Sequence, residues 1–120
     1  ITIGKESYAS AESLFQPRAV LGLDVEAVPA VVQQCISWCP LDNRKQLYEN
    51  IMLCGGVSAI PGLQGRFISE MQQLCPMAFK PGIVKCPEYM PSKTTKYSSW
   101  LGAAILGKFV FTQNSTDDEV

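Results

Sequence analysis

The sequence predicts an α/β fold, and three stretches carry that expectation. The first is Ile51–Gly62, in which the apolar run Ile51–Cys54 halts at Gly55-Gly56 and turns through Pro61-Gly62. That pattern reads as a buried strand, a glycine turn that admits close backbone approach, and the start of a helix. The second is Leu63–Leu74, where Leu63, Phe67, Met71 and Leu74 recur at spacings of three and four, the mark of an amphipathic helix. The third is Gly82–Cys86, a short apolar segment that reads as a second strand. Two convincing strands are few for a self-sufficient sheet, because strand edges need neighbours or a cover.

The remaining elements follow in chain order. Ile1–Tyr8 reads as one or two short strands about a Gly4-Lys5 turn. Ser10 is a candidate N-cap for a short helix with Glu12 in its first turn, and Pro17 is expected to close it. Arg18–Ala27 reads as a loop carrying the apolar residues Ala19, Val20, Leu21 and Leu23. Pro29–Trp38 has helical character with proline in the first turn, and Leu41–Asn50 a second helix capped near Asp42. Pro40 marks the turn between them, and Pro76 stops the helix begun at Leu63. Pro87–Pro91 is a proline-bounded loop before the polar segment Ser92–Lys96. Tyr97–Phe111 is strongly apolar, and Asn114–Val120 is polar and acidic, an expected frayed tail.

Composition narrows the chemistry. At 120 residues the chain suits one small domain, and 47% hydrophobic with 18% charged residues fits a globular protein. Ten basic against eleven acidic residues, a net charge of −1, argue against a dedicated nucleic-acid surface, which needs clustered Lys and Arg. No apolar run approaches the ~18 residues of a membrane span. The five cysteines, Cys35, Cys39, Cys54, Cys75 and Cys86, are odd in number and contain no CxxC, so a disulfide framework or zinc knuckle is not expected. Cys35 and Cys39 share a helix face, but two thiols without histidine make a poor metal site. With no histidine in the chain, neither a Ser-His nor a Cys-His nucleophile system can be assembled from it. The Gly55-Gly56 turn fits neither the P-loop nor the dinucleotide pattern. Two readings of it stay open: a backbone site that meets a ligand, or a structural strand-to-helix turn.

Taken together, ITIGKESY, SLFQP, LDNRKQLYENIMLCGG, IPG and KYSSWLGAAIL, in that order, resemble actin and the actin-related proteins. The resemblance runs from Ile1 to about Gln113 and is to the C-terminal third of the family, with residues 114–120 as a polar tail. It implies a partial actin-like ATPase fold of the ribonuclease H-like class, made chiefly of the large inner subdomain. Within the family, LCGG, CPEYMP and WLGAAILGKFVFTQN resemble a plant nuclear class associated with SWI/SNF-type chromatin remodelling.

The resemblance also implies roles for particular residues. Gly55 and Gly56 occupy the family's turn beside the adenine and phosphates of ATP, and Lys96 the place of a lysine near the adenine. Val57 and Ile60 stand where actin has a threonine and a base-packing tyrosine, so a hydroxyl and an aromatic surface are lost. Stacking on such a ring is worth ~1–3 kcal/mol in nucleic-acid systems. The family's phosphate hairpins and water-positioning residues fall upstream of Ile1, so ATP is a possible ligand of the intact protein and is expected to be neither bound nor hydrolysed by this chain alone. The Arg18–Ala27 loop corresponds to the filament plug, one residue longer here and different throughout, which argues against actin-like filaments.

Leu101, Ile105 and Phe109, at i, i+4 and i+8, make an apolar stripe that matches the family's partner-binding cleft. Its alternative is ordinary core, and the opposite small face of Gly102 and Ala103 with Leu106 is expected to be core. The implied function is that of a nuclear, non-enzymatic subunit of a chromatin-remodelling complex. Its expected partners are a helical segment of the remodelling ATPase and other actin or actin-related subunits, with no sequence-specific nucleic acid and no membrane. Its expected location is the nucleus, with the cytoplasm as a second site. The alternatives are a conventional ATP-binding cytoskeletal actin-like protein and an orphan domain without nucleotide.

Overall fold

In the computed structural model, residue 4 and residues 6–85, 90–91 and 94–117 are described. They form α1 (Glu6–Glu12), α2 (Pro17–Leu21), α3 (Val28–Trp38), α4 (Leu41–Glu49), α5 (Leu63–Leu74) and α6 (Ser98–Asp117). Two 3-10 turns, Gly56–Ala59 and Thr94–Tyr97, complete the set. The chain divides into two compact units, Ile1–Met52 with Pro61–Val84, and Leu53–Ile60 with Lys85–Val120.

In the first unit α3 packs on α5 and on α4. Pro29 sits in the first turn of α3, where a missing N–H costs nothing. The helix stops at Trp38 before Cys39-Pro40, and α4 begins directly after the proline. α5 starts after Gly62, whose φ of 84° is the left-handed conformation that glycine adopts without strain. The apolar spacing of α5 acts as expected at its middle: Phe67 and Met71 are buried, whereas Leu63 is half-buried and Leu74 exposed. Ile36, Tyr48 and Cys75 join them in the core, and Tyr48 stacks on Phe79 with ring centroids 5.5 Å apart.

The two expected strands are represented, among the described residues, by one parallel bridge between Ile51 and Ile83. The Ile51 amide donates to the Gly82 carbonyl at 3.0 Å, and the Val84 amide to the Ile51 carbonyl at 2.9 Å. Cys86, the end of the second expected strand, lies outside the described residues. The parallel direction suits an α/β unit, but two short segments without further neighbours do not extend a ladder.

Three local readings near the N-terminus are corrected. The expected strand over Ile1–Tyr8 gives way to α1 from Glu6 onward; Ile1–Ile3 and Lys5 lie outside the described residues. The run ESYASAE has two alanines and no β-branched residue, so helix wins locally. Ser10 is therefore inside the helix rather than its N-cap. Pro17 opens a helix instead of closing one: α1 ends at Glu12, and Pro17 takes the first position of α2, which runs to Leu21 and so makes the start of the expected Arg18–Ala27 loop helical. Gly22 ends α2 in the left-handed region at φ 66°, its amide donating to Arg18. Arg18 also pairs with Asp24 at the surface.

Arg66 joins α5 to α1. It donates to Glu12 at 3.1 Å and Glu70 at 2.9 Å, and its guanidinium lies 5.6 Å from the centre of the Phe15 ring. These groups are partly exposed, so solvent screening limits each ion pair to ~1 kcal/mol or less.

In the second unit α6 packs against the Thr94–Tyr97 turn. It continues to Asp117, past the start of the segment expected to fray. The small face expected to be core is not: Gly102 and Ala103 are exposed and Leu106 is 63% exposed.

Two outcomes are expected. Phe67→Ala should lower stability by ~3–5 kcal/mol and Met71→Ala by ~2–5 kcal/mol, because each leaves a cavity. Leu74→Ala should cost less than ~1 kcal/mol in the same urea titration. Burial holds the Cys75 thiol above its ordinary range, and burial, with Cys75 as a secondary cause, does the same to Tyr48. In both cases the folded pKa exceeds the unfolded one. The associated stability is therefore complete below the unfolded thiol value of about 8.5 and is lost as pH rises toward the folded value. A Cys75→Ala variant, compared with wild type between about pH 8 and 10, should show a shallower decline.

Candidate functional site

The glycine turn is built from two segments forty positions apart. Gly55 has φ 92° and ψ 173°, a conformation closed to other residues, and it leads into the Gly56–Ala59 3-10 turn. The Gly55 amide donates to the Thr95 carbonyl at 3.0 Å, and the two 3-10 turns pack together. Ser58 is buried, and its hydroxyl donates to the Gly55 carbonyl at 2.7 Å. Thr95 and Ser58 thus hold the two peptide units that flank the Gly55 Cα. Sequence reasoning named neither, although a serine three residues after a glycine is a recurrent turn-closing signal.

These bonds decide what the turn can offer a ligand. The Gly55 amide is already committed to Thr95, so it is not a donor for a phosphate. Gly56 opens the 3-10 turn, at the end where N–H groups lack intrahelical partners. A Cβ built on Gly55 or Gly56 would meet nothing within 4 Å, so the turn faces open space. Lys96 lies on the facing 3-10 turn, with its ammonium 5.3 Å from the centre of the Tyr97 ring. Val57 and Ile60, at the positions where the resemblance places a threonine and a tyrosine, are both exposed. Of the two glycines, Gly55 has its amide spent on Thr95, whereas Gly56 stands at the open end of the turn, beside the exposed Val57 and Ile60. Among the described residues no group of three His, Cys, Asp or Glu side chains could hold a metal ion.

The other three candidate residues lie on α6, in the same unit. Leu101 is half-buried and lines an open, apolar depression of about 320 Å³ with Pro91, Thr94, Tyr97 and Trp100. Ile105 and Phe109 are 64% and 59% exposed, further along the same helix. The structure packs the 3-10 turn that Gly55 and Gly56 open against the one that carries Lys96, and places Leu101, Ile105 and Phe109 on the helix that follows. Pro91, Tyr97 and Trp100 extend the apolar surface beyond the expected stripe; the aromatic spacing of Tyr97 and Trp100, three apart, was the available signal.

Comparison with known proteins agrees with the resemblance. A family model described as Actin matches residues 1–115. Actin-related protein 7 of Arabidopsis thaliana is 45% identical over 114 residues, covering 95% of this chain and 31% of the relative. Actin-related protein 7 of Oryza sativa subsp. indica gives the same identity and coverage. Actin-like protein 9 of Bos taurus is 34% identical over 106 residues, covering 88% of this chain and 24% of the relative. The chain thus spans about a third of the length of these two actin-related protein 7 relatives. It belongs to the actin family, and the fold it contributes to is the actin-like ATPase fold.

Proposed function

We propose that this chain is part of a nuclear actin-related protein that serves as a structural and regulatory subunit of a SWI/SNF-type chromatin-remodelling complex, not as an enzyme. The observation that carries the reading is α6. Its apolar side chains Ile105, Leu106, Phe109 and Phe111 are all exposed, although the helix starts against the Thr94–Tyr97 turn. An apolar helix left open on more than one side has surface to give both to its own protein and to a partner. Leu101, Ile105 and Phe109 supply anchors at the spacing that helix-in-groove recognition uses, and the amphipathic helix of a remodelling ATPase is the proposed occupant. Other actin-related subunits would complete the assembly in the nucleus.

A second reading, a conventional ATP-binding actin-like protein, has one observation in its favour: Gly56 and Lys96 belong to 3-10 turns that pack against each other. On that reading the two residues take the base edge, and phosphate contacts come from other parts of the protein. Val57 and Ile60 weigh against tight binding, since neither supplies a hydroxyl or a ring.

Two experiments separate the readings. Ile105→Asp in the full-length protein buries an unpaired carboxylate if the helix docks a partner, so association with the remodelling ATPase should weaken by ~30-fold or more. The melting temperature should stay unchanged; a collapsed melt would make Ile105 core and overturn the docking role. Val57→Thr combined with Ile60→Tyr should tighten ATP by ~10-fold if the base lies at this turn. Unchanged affinity in calorimetry would place the base elsewhere.

A further inference from the structure

Cys35 and Cys39 are nucleophiles that the proposed function leaves unused. Cys35 lies in the last turns of α3, and Cys39 caps its C-terminal end. Four-residue spacing sets them on one helix face with Cβ atoms ~5–6 Å apart. The Cys39 thiol donates back along the helix to the Cys35 carbonyl at 3.5 Å, so it points toward its neighbour's turn. Cys35 is exposed and Cys39 half-buried, both as free thiols.

A disulfide needs Cβ atoms ~3.5–4.5 Å apart, so the pair must close by ~1–2 Å. The end of α3 allows this. Cys39 has extended backbone, φ −76° and ψ 157°, and its amide donates to Ile36 at 3.0 Å, a tightened i to i−3 turn. Its carbonyl accepts from Arg44 Nε at 2.9 Å, a contact that the backbone movement closing the Cβ atoms must carry along or release.

We propose that Cys35 and Cys39 form a thiol-modification site, a dithiol that small disulfides of the glutathione class oxidise to a reversible disulfide across the end of α3. The Cys35 thiolate, the accessible one, attacks one sulfur of glutathione disulfide. An S–S bond forms between Cys35 and glutathione, and the other glutathione leaves as thiolate. The Cys39 thiolate then attacks Cys35 Sγ and expels the second glutathione. The protein loses two electrons and two protons, and glutathione disulfide gains them as two glutathione thiols. Exposure and the required closing make this disulfide easily reduced, so the site resets when reduced glutathione prevails. Cys54, exposed but with no thiol spaced four residues away, is the internal control.

The test treats the native full-length protein with excess glutathione disulfide, blocks remaining thiols by alkylation, and maps peptides by mass. Wild type should give a Cys35–Cys39 peptide lighter by two hydrogens, with glutathione retained at Cys54 and absent from Cys35. Cys39→Ser should retain glutathione on Cys35. The proposal is overturned if wild-type Cys35 keeps its glutathione, if Cys35 pairs with another cysteine, or if both thiols stay reduced while Cys54 is modified.

Discussion

The approach of Gly82 to the end of α4 holds the first unit together. A Cβ at this position would lie 2.8 Å from the Glu49 carbonyl oxygen, which no side chain permits. The absence of one lets the Gly82 amide donate to Tyr48 at 2.9 Å and its carbonyl accept from Ile51 at 3.0 Å. Those two bonds set the register of the Ile51–Ile83 bridge. The same segment carries Phe79 onto Tyr48 and returns the chain beside Cys75, whose thiol bonds to the Phe79 carbonyl. Backbone contact at one glycine and the packing of the aromatic pair therefore depend on the same segment.

Charge has a secondary part. Arg66 serves two carboxylates and one aromatic ring, yet it sits at a partly solvated rim where ion pairs contribute little. The core beneath is apolar, and among the described residues no buried side-chain polar atom is left without a partner. Ser58 is the buried polar residue of the other unit, and its hydroxyl is spent on the turn. Polar groups in this chain thus position backbone more than they bind one another.

The middle of the chain was legible in the sequence because its signals are local and repeated. Phe67 and Met71 at helical spacing, Pro29 in a first turn and prolines at 40 and 76 each state a boundary or a buried face without help from distant residues. The N-terminal segment was less legible because proline has two meanings: Pro17 fits the end of one helix and the start of another, and the intervening turn at residues 13–15 decides between them. The candidate site was legible at Gly55 and Gly56, whose role follows from backbone freedom. Its partner Thr95 was not, since a carbonyl acceptor leaves no trace in the side chain. The exposure of α6 was also hidden, because an apolar helix reads the same whether its own chain covers it or another surface does.

The bond between Gly55 and Thr95 has a temporal side as well. The second unit is made of two pieces of chain, Leu53–Ile60 and Lys85–Val120, with α5 and its surroundings strung between them. On a ribosome adding ~5–20 residues per second, Gly55 is made ~2–8 s before Thr95 exists to receive its amide. For that interval the Gly55 amide lacks its acceptor, and the local bonds from Ser58 to the Gly55 carbonyl hold the turn. The Gly55 bond is therefore one that synthesis sets late, only after a segment forty positions further on has been made.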